Sequence, residues 1–67
     1  MNESQATVAL LERLIVAAER QGWAVAQGAS GTYRFSRDGI TVVADVRTAR
    51  DLVTLANGLL AMGLTLP

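Results

Sequence analysis

Apolar side chains recur at helical spacing over residues 4–21. Val8, Leu11, Ile15 and Ala18 fall on one stripe, with Leu10, Leu14 and Ala17 beside it. Glu12, Arg13, Glu19 and Arg20 take the other side. Asn2 or Ser4 can cap the start. Gly22 is placed to end the helix in the left-handed conformation. Trp23 can then fold back on Ala18, the hydrophobic contact of a Schellman stop.

From Trp23 the period changes to two. "WAVAQ" (23–27) reads as a strand, "GASG" (28–31) as a turn, "TYRFSR" (32–37) as a second strand and "ITVVADV" (40–46) as a third. Asp38-Gly39 between the last two is a two-residue hairpin turn requiring positive φ. That turn sets the register. Arg37 faces Ile40, Phe35 faces Val42 and Tyr33 faces Ala44 on one side, which Trp23 and Val25 join as the core face. Ser36 faces Thr41, Arg34 faces Val43 and Thr32 faces Asp45 on the open side.

Helical spacing returns over 49–62. Leu52, Leu55, Ala56 and Leu59 form a buried stripe that Val53 and Leu60 widen. Thr48 is placed as the cap and Asp51 in the first turn. Gly63 stops the helix and Leu64 can fold back on Leu59, repeating the Gly22-Trp23 stop. The order is α-β-β-β-α. It predicts one α+β domain over 1–67, a two-layer sandwich in which two helices cover one face of a three-stranded antiparallel meander.

Composition narrows what holds such a domain together. Its 67 residues include no Cys and no His, so disulfides and the usual zinc ligands are excluded. A domain of this size buries only about 60% of its unfolded surface. Dense packing and association are the stabilisers that remain, and a 51% hydrophobic chain suits both. Six cations balance six acids, so net charge forces no polyanionic partner. All six cations are Arg, a usage that fits GC-rich coding as in actinobacteria and their phages. The N-terminus lacks the basic region of a signal peptide. The longest uncharged run, 52–67, is shorter than the roughly 20 residues of a bilayer span. The expectation is a soluble, cytoplasmic chain with no membrane partner.

The element order is that of double-stranded-RNA-binding domains, and also of the HicA family of small mRNA-cleaving toxins. "QGW" (21–23) and "SGTYRF" (30–35) resemble the Gly-aromatic step and the turn into an aromatic/basic/aromatic strand in HicA proteins. The resemblance implies an RNA-facing surface. It places the family's catalytic His at or near Thr32, and this chain has no His. Lacking the usual group that titrates near neutrality, the chain is expected not to be an enzyme.

Arg34, Arg47 and Arg50, helped by Thr32, form the candidate nucleic-acid surface, because guanidinium groups grip phosphates in a bidentate way. Against this, Asp45 lies diagonally across from Arg34 and Asp51 follows Arg50, which predicts local neutralisation. Trp23, Tyr33 and Phe35 fall on the core face rather than on a stacking platform. The Gly28–Gly31 turn leads into a strand and has no Lys, so it reads as an ordinary turn. Glu12 and Glu19 alternate with Arg13 and Arg20, which describes a solvated face. The surplus apolar residues point elsewhere: Val16 on the charged side of the first helix, Val43 with Ala24 and Ala26 on the open sheet face, and Leu64 and Leu66 in the tail. These predict an association surface. The partner is a second copy or a cognate or host protein, nucleic acid being the alternative. No metal, cofactor or small-molecule substrate is indicated.

Overall fold

A computed structural model describes residues 3–66. Helix α1 spans Glu3–Arg20, followed by β1 (Ala24–Gln27), a single 3-10 turn (Ala29–Gly31), β2 (Thr32–Arg37), β3 (Ile40–Asp45) and α2 (Ala49–Ala61). The strands form one antiparallel sheet in the order β1-β2-β3. The fold is the expected α+β arrangement, α-β-β-β-α. Ser4 lies inside α1 rather than capping it, and Asn2 lies outside the described residues.

Each pair of the predicted β2–β3 register is present, from Arg37–Ile40 to Thr32–Asp45. Asp38 and Gly39 take φ of 52° and 81°, the left-handed pair that a two-residue turn demands. β1 then pairs with the far side of β2, Val25 opposite Phe35 and Ala26 opposite Arg34.

Both helices end in the same way. At α1, Trp23 N–H donates to Ala18 O and Gly22 N–H to Glu19 O, at 3.0 and 3.2 Å. At α2, Leu64 N–H donates to Leu59 O and Gly63 N–H to Leu60 O, at 2.9 and 3.2 Å. These are two Schellman stops, made possible by the positive φ of Gly22 and Gly63. The residue after each glycine, Trp23 or Leu64, turns into the core.

That core comprises Leu11, Leu14, Ala18, Trp23, Phe35, Leu52, Leu55, Leu59 and Leu64. Phe35, at the centre of the middle strand, is fully buried. The stripes are narrower than their sequence pattern. Val8 and Leu10 on α1, and Val53 and Leu60 on α2, are 42–57% exposed, and Ile40 beside the hairpin turn is exposed too. The reason is width. Three strands span roughly 10 Å between outer axes, and two packed helices lie 8–10 Å apart. Each helix therefore seats a single edge on the sheet, and apolar residues a third of a turn away do not reach it. Leu64 departs from expectation in the other direction. It is core, 4% exposed, and leaves the surface set to which its tail position had assigned it.

Arg37 occupies the core-face row of β2, where a cation has to be accommodated. Its guanidinium lies 4.7 Å from the centroid of the Trp23 ring. Nη1 donates to Gln21 O at 3.1 Å and Nη2 to Met62 O at 3.3 Å. Those carbonyls belong to the residues that close α1 and α2. One side chain therefore caps both helices, and both point the negative end of their dipole at it. The Trp23 indole N–H is buried with no acceptor among the described residues, so the ring is held by packing and by the cation above it.

A hydrogen bond from a charged donor contributes about 1.5–3 kcal/mol and a cation–π contact about 0.5–2 kcal/mol. Since Arg37 is partly solvated, Arg37→Ala is expected to lower stability by about 2–3 kcal/mol. Arg37→Lys should recover less than half of this, because an ammonium does not span two carbonyls as a planar fork does. Urea unfolding followed by Trp23 fluorescence measures both. A loss below about 0.5 kcal/mol, the range of neutral surface changes, would show the clamp to be dispensable.

Candidate association surfaces and the arginine set

The arginines proposed for nucleic acid are spread over separate elements. Arg34 is exposed at mid-β2 on the bare sheet face, Arg47 follows β3, and Arg50 lies in the first turn of α2. No contact brings the three together among the described residues. The expected neutralisation does not occur either. The single ion pair among the described residues is Arg37 Nε to Asp38 Oδ2 at 4.0 Å. Asp45 instead accepts from the Thr32 hydroxyl at 2.6 Å, across the β2–β3 pair. Thr32 is thus engaged, and Arg34 faces solvent without a partner.

Asp51 is engaged at the start of α2. Its Oδ2 accepts from the backbone N–H groups of Arg47 (3.0 Å) and Thr48 (3.1 Å), while Asp51 N–H donates to Thr48 Oγ1 at 3.2 Å. This is a complete capping box. The helix N-terminus beside Arg47 and Arg50 is therefore already filled by a carboxylate, which disfavours a phosphate there. The Arg47 backbone N–H does most to hold the Asp51 carboxyl below its ordinary value. Partial desolvation opposes it, and the Thr48 N–H, the Thr48 hydroxyl and the Arg47 charge reinforce it.

The larger surface feature lies between the helices, on the side turned away from the sheet. A groove of about 970 Å³ has walls that include Leu10, Leu14 and Ala17 of α1, Val53 and Ala56 of α2, and Leu66 of the tail. Leu10, Val16, Val53 and Leu66 along it are 41–57% exposed. Arg13, Arg20 and Glu12 border it. Gln21 fixes its tail wall: Nε2 donates to Thr65 O at 2.6 Å, and Thr65 N–H donates back to Oε1 at 2.8 Å. This clasp holds the chain beyond Leu64 against the end of α1 and sets Leu66 at the groove. Leu66 is the tail residue that remains available on the surface.

Val43, Ala24 and Ala26 share the bare face of the sheet, all three exposed, with Val43 at 57%. Across the strands Ala26 faces Arg34 and Arg34 faces Val43, so a cation divides the small apolar residues. Sequence pattern located this face and two residues of the groove, Val16 and Leu66, but not the groove itself. Its other apolar walls, Leu10, Leu14, Ala17, Val53 and Ala56, are positions assigned to the core.

No protein-family model, curated protein or solved structure matches this chain. No helix among the described residues is long and apolar enough to cross a membrane. No group of three or more acidic residues converges among the described residues to hold a metal ion.

The capping box sets a pH dependence. A carboxyl whose folded pKa is lowered contributes stability that is present above the unfolded carboxylate range and lost as pH falls through the folded value. The stability gap between the native chain and Asp51→Asn is expected to be widest near neutrality and to close in strong acid. Urea midpoints across the pH range measure it, and a gap that does not vary with pH would remove the Asp51 charge from the account.

Proposed function

We propose that this chain is a non-catalytic association module that pairs with a second copy of itself along the outer side of its helices. The apolar groove between α1 and α2 carries this reading, since it exposes aliphatic side chains that the small core leaves over.

Charge supports a second copy as the occupant. The net charge is zero, so two copies approach without repulsion. On the outer pole of α1, Val16 stands between two rows. Glu12 and Glu19 lie on one flank, Arg13 and Arg20 on the flank that faces the groove. A two-fold axis running along α1 sets the acidic row of each copy against the basic row of the other. Glu12 then meets Arg13 of the partner copy, and Glu19 its Arg20. The same operation brings exposed Val8 to the mouth of the partner copy's groove.

Catalysis is the weaker reading. By the HicA resemblance, Thr32 holds the position of the family's His, and its hydroxyl is bound to Asp45. Nucleic-acid binding has one observation in its favour, the unpaired guanidinium groups of Arg34, Arg47 and Arg50. Their separation and the filled N-terminus of α2 count against it.

Sedimentation equilibrium is expected to show self-association of the native chain and a lower mass at the same concentration for Val16→Lys, a change at an exposed position that removes the groove contact and leaves the core intact. Glu12→Arg/Glu19→Arg and Arg13→Glu/Arg20→Glu should each show the same loss of mass, and mixing them should restore the groove contact. A native chain that stays monomeric at millimolar concentration would overturn the reading. Anisotropy of labelled single- and double-stranded RNA and DNA should show no steeply salt-dependent binding. Binding that falls with salt and is lost in Arg47→Ala/Arg50→Ala would move the function to the arginine surface.

A further inference from the structure

The outer edge of β3 is a second surface, independent of the groove. The ladder fixes which of its backbone groups are unpaired. Val46 N–H donates to Gly31 O at 3.0 Å, in phase with the Arg37–Ile40 pair that flanks the turn. Hydrogen-bonded pairs alternate along an antiparallel ladder. Ile40, Val42 and Ala44 therefore direct their N–H and C=O groups at β2. Thr41, Val43 and Asp45 direct theirs away from the sheet, and no other backbone group among the described residues meets them.

Natural edge strands are ordinarily blunted by Lys, Pro, a bulge or great shortness. β3 has six residues, an unbroken one-to-one register, no Lys and no Pro, and Asp45 at its end as its one charge. Thr41, Val43 and Asp45 are all exposed. The opposite edge offers less: β1 has four residues, of which the same alternation leaves Val25 and Gln27 facing out.

We infer that β3 pairs antiparallel with β3 of a second copy about a two-fold axis through Val43, joining two sheets into one. In that register Val43 opposes Val43 of the other copy, and Thr41 opposes its Asp45. All outward N–H and C=O groups of Thr41, Val43 and Asp45 are then bonded at once. Shifted registers leave some of them unpaired, and the register centred on Asp45 sets two carboxylates face to face, which is destabilising. In the Val43-centred register each carboxylate meets a threonine hydroxyl, and no charge opposes its like.

The seam also brings the helix layers of the two copies together. The two-fold axis is perpendicular to the sheet, so both helix pairs lie on the same side and α2 approaches its counterpart. Val53 and Ala56 of α2 line the groove beside α1. The opposite flank, towards the outer side of β3, carries Asp51 and Gly58, with Thr54 above them. The seam uses no residue of α1, so it forms with or without pairing at the groove. Where both form, the chain assembles beyond the dimer.

The test combines Val43→Cys with Val16→Lys, which disables the groove contact. The chain has no cysteine of its own, so any disulfide reports the introduced one. Directly opposed residues in a hydrogen-bonded antiparallel pair lie about 5.5 Å apart at Cα, within disulfide reach. Mild oxidation is expected to give a near-complete covalent dimer, while Gln27→Cys in the same background stays largely monomeric. Hydrogen exchange of the Val16→Lys chain gives an independent readout. At high concentration the Thr41, Val43 and Asp45 amides should be protected, and on dilution they alone in β3 should lose protection. Absence of the Val43→Cys dimer, or unprotected Thr41, Val43 and Asp45 amides at high concentration, would overturn the β3 pairing. Neither result bears on the groove, which the mass of the native chain against Val16→Lys decides.

Discussion

The guanidinium of Arg37 is the point on which the arrangement of this fold depends. Two helices that lie side by side and end at one corner have aligned dipoles, and aligned dipoles repel. Each helix also finishes with carbonyl groups that its own hydrogen bonding leaves free. Arg37 answers both costs from the strand between them, donating to Gln21 O of one helix end and Met62 O of the other. Packing over Trp23 steadies the cation, which stays partly solvated. The close approach of Gly63, where a Cβ would come within 2.9 Å of Arg37 Nη2, shows how little space the arrangement leaves. A side chain at that position would meet the clamp as well as the unfavourable φ of +102°.

The clamp also explains why a polar residue stands in the core row of β2. The hairpin register places Arg37 on the same face as Phe35 and Tyr33. At the end of that row the sheet runs out, and both Schellman stops converge there. An apolar residue at that position would cover Trp23 but leave two helix ends without a donor. A long cation covers the ring with its stem and supplies the donors with its head.

Much of this was legible in the chain. The Asp38-Gly39 turn determined a register that every β2–β3 pair follows, and the glycine-apolar steps at 22–23 and 63–64 marked both helix ends. Thr48 was legible as the cap of α2 and Asp51 as a first-turn acid; that the two form a reciprocal capping box is a finding of the structure. Three-dimensional facts were not legible. Arg37 read only as a member of the core-face row opposite Ile40, because nothing local says that two helix ends arrive beside it. The signal available was the coincidence of two identical helix stops with one Arg in an otherwise apolar row. Arg34 and Arg50 read as neutralised because an acid stood nearby in sequence, yet Asp45 and Asp51 are taken by Thr32 and by a helix cap. Val8, Leu10, Val53 and Leu60 read as core because helical periodicity carries no information about how wide a sheet is.

That width connects the core to the surfaces. Two helices seated by one edge each on a three-stranded sheet leave a groove above, a bare sheet face below and a free backbone edge on either side. A larger domain would add a strand or a helix to close these. These 67 residues hold no disulfide and no histidine or cysteine to bind a metal in place of such an element. A second copy would contribute the missing layer, and apparent stability would then rise with protein concentration by mass action. Of the open surfaces, the bare sheet face is the least suited to this role, because Arg34 stands between Ala26 and Val43 and would have to be desolvated. The groove and the β3 edge carry no such cost. One buries aliphatic side chains under a rim of both charge signs, and the other pairs backbone groups that already lie in register with their own image. The same narrow sheet that makes the core small therefore shapes the surfaces through which it can be completed.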